Sequence, residues 1–394
     1  MLTRLATALA ALTLAAAAPP PAAPDEGARL FAAGDFDGAA VAFGKAAAAD
    51  PKAAPPRFSL ARIALYRNQL DEAEARAREV LVLDPAQDAA RRILQAVQAR
   101  RELAASTTWT RMPPQGVILP FLVDEPLPLV QLTIGGRRLT LVLDTGAPEL
   151  VLEPDVAQAL GLKMEAPHAG VFAGGATAQV QATVVPEVHV GPVTVRDVKA
   201  SVIPMGAASM FGGTRVDGAV GTAFLSRFVA TIDYPAHRLV LRPRGSGLPL
   251  AAAGVTRVPI WLVGDHFIFA KGAVNALENQ LMLVDSGGAG VGFSPEAAEI
   301  EAAHITLDKD HAGQGVGGGG AVNVIPALIE RLCVGDACQA KVQGLYTPQG
   351  SPLRNFPFKT AGIVSHLFLE RYAVTFDFDR MEMGLASSSG AKGT

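Results

Sequence analysis

Apolar and polar positions change their period twice along this chain, and each change marks a new kind of structure. Residues 1–18 carry one positive charge, Arg4, then an unbroken Leu/Ala/Thr run that ends in small residues before Pro19-Pro20-Pro21. This reads as a secretory signal peptide cut near Ala17, because its apolar stretch of about 14 residues is shorter than the roughly 20 needed to span a bilayer. From residue 26 to about 104 the apolar residues take helical spacing, and the pattern repeats. Gly34-Asp35-Phe36-Asp37-Gly38-Ala39-Ala40 returns as Asn68-Gln69-Leu70-Asp71-Glu72-Ala73-Glu74, and Asp50-Pro51 returns as Asp84-Pro85, both 34 residues later. Small side chains suit helix crossings, and each Asp-Pro pair ends a helix because proline cannot continue it. After Ser106-Thr107-Thr108 short Val/Ile/Leu runs bounded by Gly and Pro take over, as at residues 129–134 and 139–143, and these predict strands.

A second, longer repeat runs through the strand-rich part. Leu141-Val142-Leu143-Asp144-Thr145-Gly146-Ala147 corresponds to Met282-Leu283-Val284-Asp285-Ser286-Gly287-Gly288, each followed by a helical segment predicted to start at a proline, Pro154 or Pro295. Residues 218–233 align with 362–377 without a gap, identical at seven of sixteen positions. Spacing agrees as well: Asp144 lies 89 residues before Asp233, and Asp285 lies 92 before Asp377. The pattern predicts two homologous β lobes, 110–245 and 252–387, after a helical segment at 25–105, with a flexible tail at 388–394.

Composition narrows the function classes. A chain of 394 residues is too long for one ordinary domain. With 34 basic and 37 acidic side chains, a net charge of −3 and no Lys/Arg cluster, it lacks the footprint of a nucleic-acid binder. Its two cysteines, Cys333 and Cys338, are too few for a cysteine zinc centre. Gly335-Asp336 between them is a turn signal that would place the thiols across a hairpin, and an oxidising compartment would close the bridge. The Ala-rich, Lys-poor composition with the signal peptide points to a bacterial periplasmic or secreted protein.

These motifs resemble two known families. The 34-residue repeat resembles the tetratricopeptide family, with about two repeats. An apolar run leading into Asp144-Thr145-Gly146-Ala147, its counterpart Asp285-Ser286-Gly287, and the downstream Ala219-Val220-Gly221 resemble the aspartic peptidases, in a two-lobed pepsin-like arrangement with lobes of retropepsin-like size. The implied fold class is multidomain α plus all-β: helical hairpins, then a duplicated β-barrel domain. The resemblance implies that Asp144 and Asp285 share one proton and activate a water, with Thr145, Gly146, Ser286 and Gly287 shaping the loops, and with no metal or cofactor. It also places flaps over the substrate at two glycine-rich segments, 170–175 with Phe172, Gly174 and Gly175, and 313–320 with Gly315 and Gly317. The chain departs from the family pattern at Gly288, at Ser365 in place of a glycine, and in lacking a first-flap tyrosine.

Other chemistries find little footing. Gly313, Gly315 and Gly318 have dinucleotide-loop spacing, but residues 322–325 read as extended rather than as the helix such a loop needs. The seven histidines are scattered, and His366, beside the second hydrophobic element, reads as structural. Asp233 and Asp377 read as turn formers. The expected function is an exported aspartic endopeptidase acting as a monomer on peptide or protein substrates. The helical repeats would be available to a protein partner, with no nucleic-acid partner and no stable membrane insertion after signal removal. The alternative is a non-catalytic scaffold that binds a peptide or envelope protein. Removal of residues 25–105 is expected to leave the lobes folded.

Overall fold

The computed structural model describes residues 25–387 except 112, 114, 172–176, 207–209, 249–253 and 318–319. The segment expected to be a signal peptide, Phe172, Gly174, Gly175 and the tail at 388–394 lie outside the described residues. Five helices come first: α1 (Glu26–Ala32), α2 (Phe36–Ala49), α3 (Ala54–Tyr66), α4 (Leu70–Leu83) and α5 (Asp88–Ala105). Asp25 and Asp35 cap α1 and α2 by accepting from the backbone N–H groups of Ala28 and Gly38. The repeat is visible in the backbone, since Gly34 and Asn68 both have left-handed φ, +77° and +54°. Ala39 and Ala73, also 34 residues apart, are fully buried where helices cross. Among the described residues no helix is long and apolar enough to cross a membrane.

The strands that follow build two closed rings with the same order of pairing. In the first, Leu129–Ile134 pairs Arg137–Leu143, then Gly218–Val220, Leu150–Leu152, Val193–Val202 and Thr177–Val190, which returns to Leu129–Ile134. In the second, Phe267–Val274 pairs Leu277–Val284, then Gly362–Val364, Phe293–Pro295, Ala337–Tyr346 and Gly320–Val334, which returns to Phe267–Val274. Alternation along each strand turns residues such as Leu141, Leu143, Met282 and Val284 inward, all at most 2% exposed. Pro295 pairs with Gly362 as the last residue of a strand, so the second short helix begins at Ala297, not at the proline.

Strands from both halves share one antiparallel sheet at the base. Phe228–Asp233 pairs Tyr372–Asp377, with Thr231 opposite Thr375 and their hydroxyls 2.8 Å apart. Thr231 and Thr375 are equivalent in the sixteen-residue alignment, so the pairing runs through a local twofold axis. Asp233 and Asp377 cap the turns that follow, accepting backbone N–H groups from Ala236 and from Asp379 and Arg380, as their sequence context predicts.

The helices lie on the second half. Phe31, Phe36, Phe43, Ile63 and Tyr66 form one buried cluster with Trp261, Phe269, Leu281, Leu283 and Phe358. Arg100 donates to the carbonyls of Leu262 and Gly264, and Asn68 to that of Phe378. The helices cover an apolar sheet face that would otherwise meet water.

Candidate active site

Asp144 and Asp285 follow the inner strands of the two rings, and each is held by the strand beside it. Asp144 N–H donates to the carbonyl of Val220 at 3.0 Å, and Asp285 N–H donates to that of Val364 at 2.9 Å. Each loop then turns so that the glycine two residues on donates to its own aspartate, Gly146 to Asp144 Oδ1 at 2.9 Å and Gly287 to Asp285 Oδ1 at 2.8 Å.

The two loops are locked by a reciprocal exchange of hydrogen bonds. Thr145 Oγ1 accepts from Ser286 N–H at 2.9 Å and donates to the carbonyl of Val284 at 3.2 Å. Ser286 Oγ accepts from Thr145 N–H at 3.0 Å and donates to the carbonyl of Leu143 at 3.1 Å. Both hydroxyl residues are fully buried, so four polar groups that would be costly to orphan are satisfied across the interface. The glycines answer to space. A Cβ on Gly146 would stand 2.5 Å from Asp285 Oδ2, and one on Gly287 would collide with Asp144 Oδ1. Each loop thus lacks a side chain where the opposite carboxylate arrives.

The result is two carboxyl groups facing each other across the interface between the loops. Burial first, and then the neighbouring charge of Asp285 and the hydrogen bond to it, raise the Asp144 carboxyl well above the usual aspartate range. Both aspartates keep part of their surface open to solvent. One proton shared by such a pair leaves an acid and a base side by side. A cavity of about 1080 Å³ lies elsewhere, between α5 and the first half, lined among others by Arg100, Glu149, Lys199, Arg227 and Asp265, with neither aspartate on its wall.

The two departures from the family pattern, Gly288 and Ser365, meet in space. A Cβ on Gly288 would lie 2.6 Å from Ser365 Oγ. In the first half the same two places hold Ala147 and Gly221, where a Cβ on Gly221 would strike the Ala147 carbonyl. The small residue has changed sides. Gly315 and Gly317 lie in a strand, Gly313–Gly317, that pairs with residues 320–324 as a hairpin. Cys333 and Cys338 sit opposite each other across another hairpin and form a disulfide.

Two residues around the dyad, Thr222 and Tyr234, are not singled out by the sequence motifs, and a third, His366, reads there as structural. Thr222, fully buried, donates to the carbonyl of Thr145 at 2.7 Å and tethers the first loop from behind. Tyr234 is buried, its hydroxyl without a hydrogen bond of good geometry, and burial followed by the charge of Asp285 raises its pKa. His366, buried at 1% exposure, packs its ring against Tyr234 with centroids 5.3 Å apart, and burial pushes its pKa down to about 4. Thr222 could have been found from sequence, since it aligns with His366 in the sixteen-residue repeat. Tyr234 carries no such signal.

Comparison with known proteins agrees with this picture in part of the chain. Residues 130–224 match the aspartyl protease family, a match that includes Asp144 and ends before Asp285, and residues 30–100 match the tetratricopeptide repeat. DNA damage-inducible protein 1 of Neurospora crassa is 26% identical over 161 residues, which is 40% of this chain and 31% of that protein. The chain thus spans about a third of the length of this curated relative. The crystal structure of a retropepsin-like aspartic protease from Rickettsia conorii aligns with 32% of this chain and 86% of that one, at 18% identity and a TM-score of 0.22.

Proposed function

We propose, for a chain that carries an aspartyl protease domain at residues 130–224 and a tetratricopeptide segment at residues 30–100, that it is an exported aspartic endopeptidase whose dyad, Asp144 and Asp285, comes from two duplicated lobes of one molecule. The observation that carries this reading is the reciprocal Thr145–Ser286 exchange with the two carboxyl groups facing each other above it. A binding module has no need for a buried four-bond clamp under a shared proton. Duplication is supported by the identical pairing order of the two rings and by the twofold pairing at Thr231 and Thr375.

In this mechanism the ionised partner takes a proton from a water held between the carboxyl groups, and the protonated partner donates to the scissile carbonyl oxygen. The hydroxyl clamp keeps the two aspartates from drifting apart as charge passes between them. Because both aspartates belong to one chain, the active unit is a monomer. The closed Cys333–Cys338 bridge and the leader-like residues 1–18 support export to an oxidising compartment.

The test is cleavage of a denatured protein or mixed peptide library across pH 3–8 by wild type, Asp144→Asn and Asp285→Asn. Each substitution should lower turnover by about 10²–10⁴-fold or more, the range of a lost general acid or base, with the circular dichroism spectrum unchanged. A folded wild type that cleaves nothing at any pH, or a variant that keeps full activity, would reject the endopeptidase reading.

A further inference from the structure

The sixteen-residue repeat places His366 where the first half has Thr222. Thr222 uses its hydroxyl to hold the Thr145 carbonyl. His366 is 1% exposed, yet neither ring nitrogen has a hydrogen-bond partner. A buried imidazole with both nitrogens unused is costly unless something else engages it. What faces it is two carboxylates. Glu370 Oε2 lies 3.4 Å from His366 Nε2 and Glu125 Oε2 lies 3.9 Å away, neither in hydrogen-bond geometry, and the three donor atoms all lie within 4.8 Å of one another.

The geometry points to a divalent-cation site made by Glu125, His366 and Glu370, with zinc the fitting class of metal. Donor atoms at about 2.0–2.2 Å from a tetrahedral zinc stand roughly 3.4 Å apart, so the His366–Glu370 separation of 3.4 Å already matches, and exposed Glu125, 3.9 Å from His366, has to swing in to complete the set. One imidazole with two carboxylates suits zinc and its first-row neighbours, whereas magnesium and calcium prefer an all-oxygen shell. Three protein ligands leave a fourth position open.

The site joins the two halves. Glu125 precedes the strand Leu129–Ile134 of the first ring, while His366 opens the helix His366–Leu369 and Glu370 closes it, directly after the strand whose Val364 carbonyl holds Asp285. Tyr234 of the first half lies against the imidazole and within reach of the Asp285 charge. A bound cation would tie the loop that carries Glu125 to the second half beside the dyad.

The experiment uses the full chain, stripped with a chelator, exchanged into chelator-free buffer and titrated calorimetrically with zinc, then separately with magnesium. Wild type should bind one equivalent of zinc and show no saturable magnesium binding, and zinc should raise its melting temperature. Glu125→Gln and Glu370→Gln should each weaken zinc binding by at least about tenfold, the lower end of what even an outer-shell partner contributes, and should lose the thermal shift. Glu125 is 73% exposed, so its variant should fold even if His366→Gln does not. Absence of zinc binding by folded wild type would overturn the assignment. So would zinc binding that survives both glutamate changes, which would place the metal elsewhere. Neither readout depends on peptide cleavage.

Discussion

The two halves of the β region are nearly superimposable in logic at the dyad and unlike each other a few ångströms away. Around Asp144 and Asp285 the same strand order, the same glycine-to-carboxylate bond and the same exchanged hydroxyl recur. On the outer face of the strand leading into each aspartate they part. The first half has Thr140 and Val142 there, and the second has Leu281 and Leu283. The leucines are buried against Phe31, Phe36 and Tyr66 of the helices, while Val142 packs under Leu127, Ile203 and Phe211 of its own half. The contact between the two loops constrains both halves alike, and the outer face records what covers it.

The largest test of this contrast removes the cover. Deleting residues 25–105 exposes Trp261, Phe269, Leu281, Leu283 and Phe358 together, a patch of the kind that drives association. The expected outcome is aggregation seen by light scattering. A monodisperse truncation with native circular dichroism would mean that the second half does not need the helices as a cover. Next in size is the clamp, which should fail from either side. Thr145→Val orphans the Ser286 N–H and the Val284 carbonyl, and Ser286→Ala orphans the Thr145 N–H and the Leu143 carbonyl. At about 1–3 kcal/mol for each buried group left unsatisfied, chemical denaturation should show both variants clearly destabilised. Unequal losses would show that the Thr222 tether, present on one side only, shares the load.

What could be read from the sequence was whatever repeated. The 34-residue period gave the helices, and the paired Asp-Thr/Ser-Gly runs gave both aspartates, their hydroxyl neighbours and their glycines, because turn chemistry is written locally. The docking of the helices was harder to read. Leu281 and Leu283 look like any apolar strand positions until the ring fixes which face is outward, and alternation does not say what lies beyond that face. The Gly288–Ser365 contact was equally hidden. It joins residues 77 positions apart, and each alone looked like a lapse from the pattern. Glu125 and Tyr234 belong to segments outside either motif, brought to the site only by the base sheet.

The Gly288–Ser365 exchange supplies a smaller and more pointed prediction. Gly288→Ala should crowd Ser365 and cost about 1–3 kcal/mol, the usual range for an overpacked position. Ser365→Gly added to it restores the Ala147/Gly221 arrangement of the first half and should recover most of the loss. A double-mutant cycle in urea measures this coupling. Additive losses would show that the two halves settle these loops by unrelated means.

The smallest expected effect concerns the proton. The folded state holds the Asp144 carboxyl well above the usual range, so it retains a proton that the unfolded chain releases near pH 3.9. Wild type therefore loses this contribution to stability as pH rises from about 3.9 through the raised native value, and no further change follows once both states are ionised. Asp144→Asn removes the titration while its side-chain oxygen can still accept from Gly146. Its melting temperature should match wild type below that window and exceed it increasingly across it. Asp285→Asn removes the neighbouring charge but leaves the burial of Asp144, which is the larger cause of the shift, so it should flatten the same pH slope only in part. A slope abolished equally by both changes would instead assign the shift to repulsion between the carboxylates, and the two sides of the dyad would then be electrostatically equivalent.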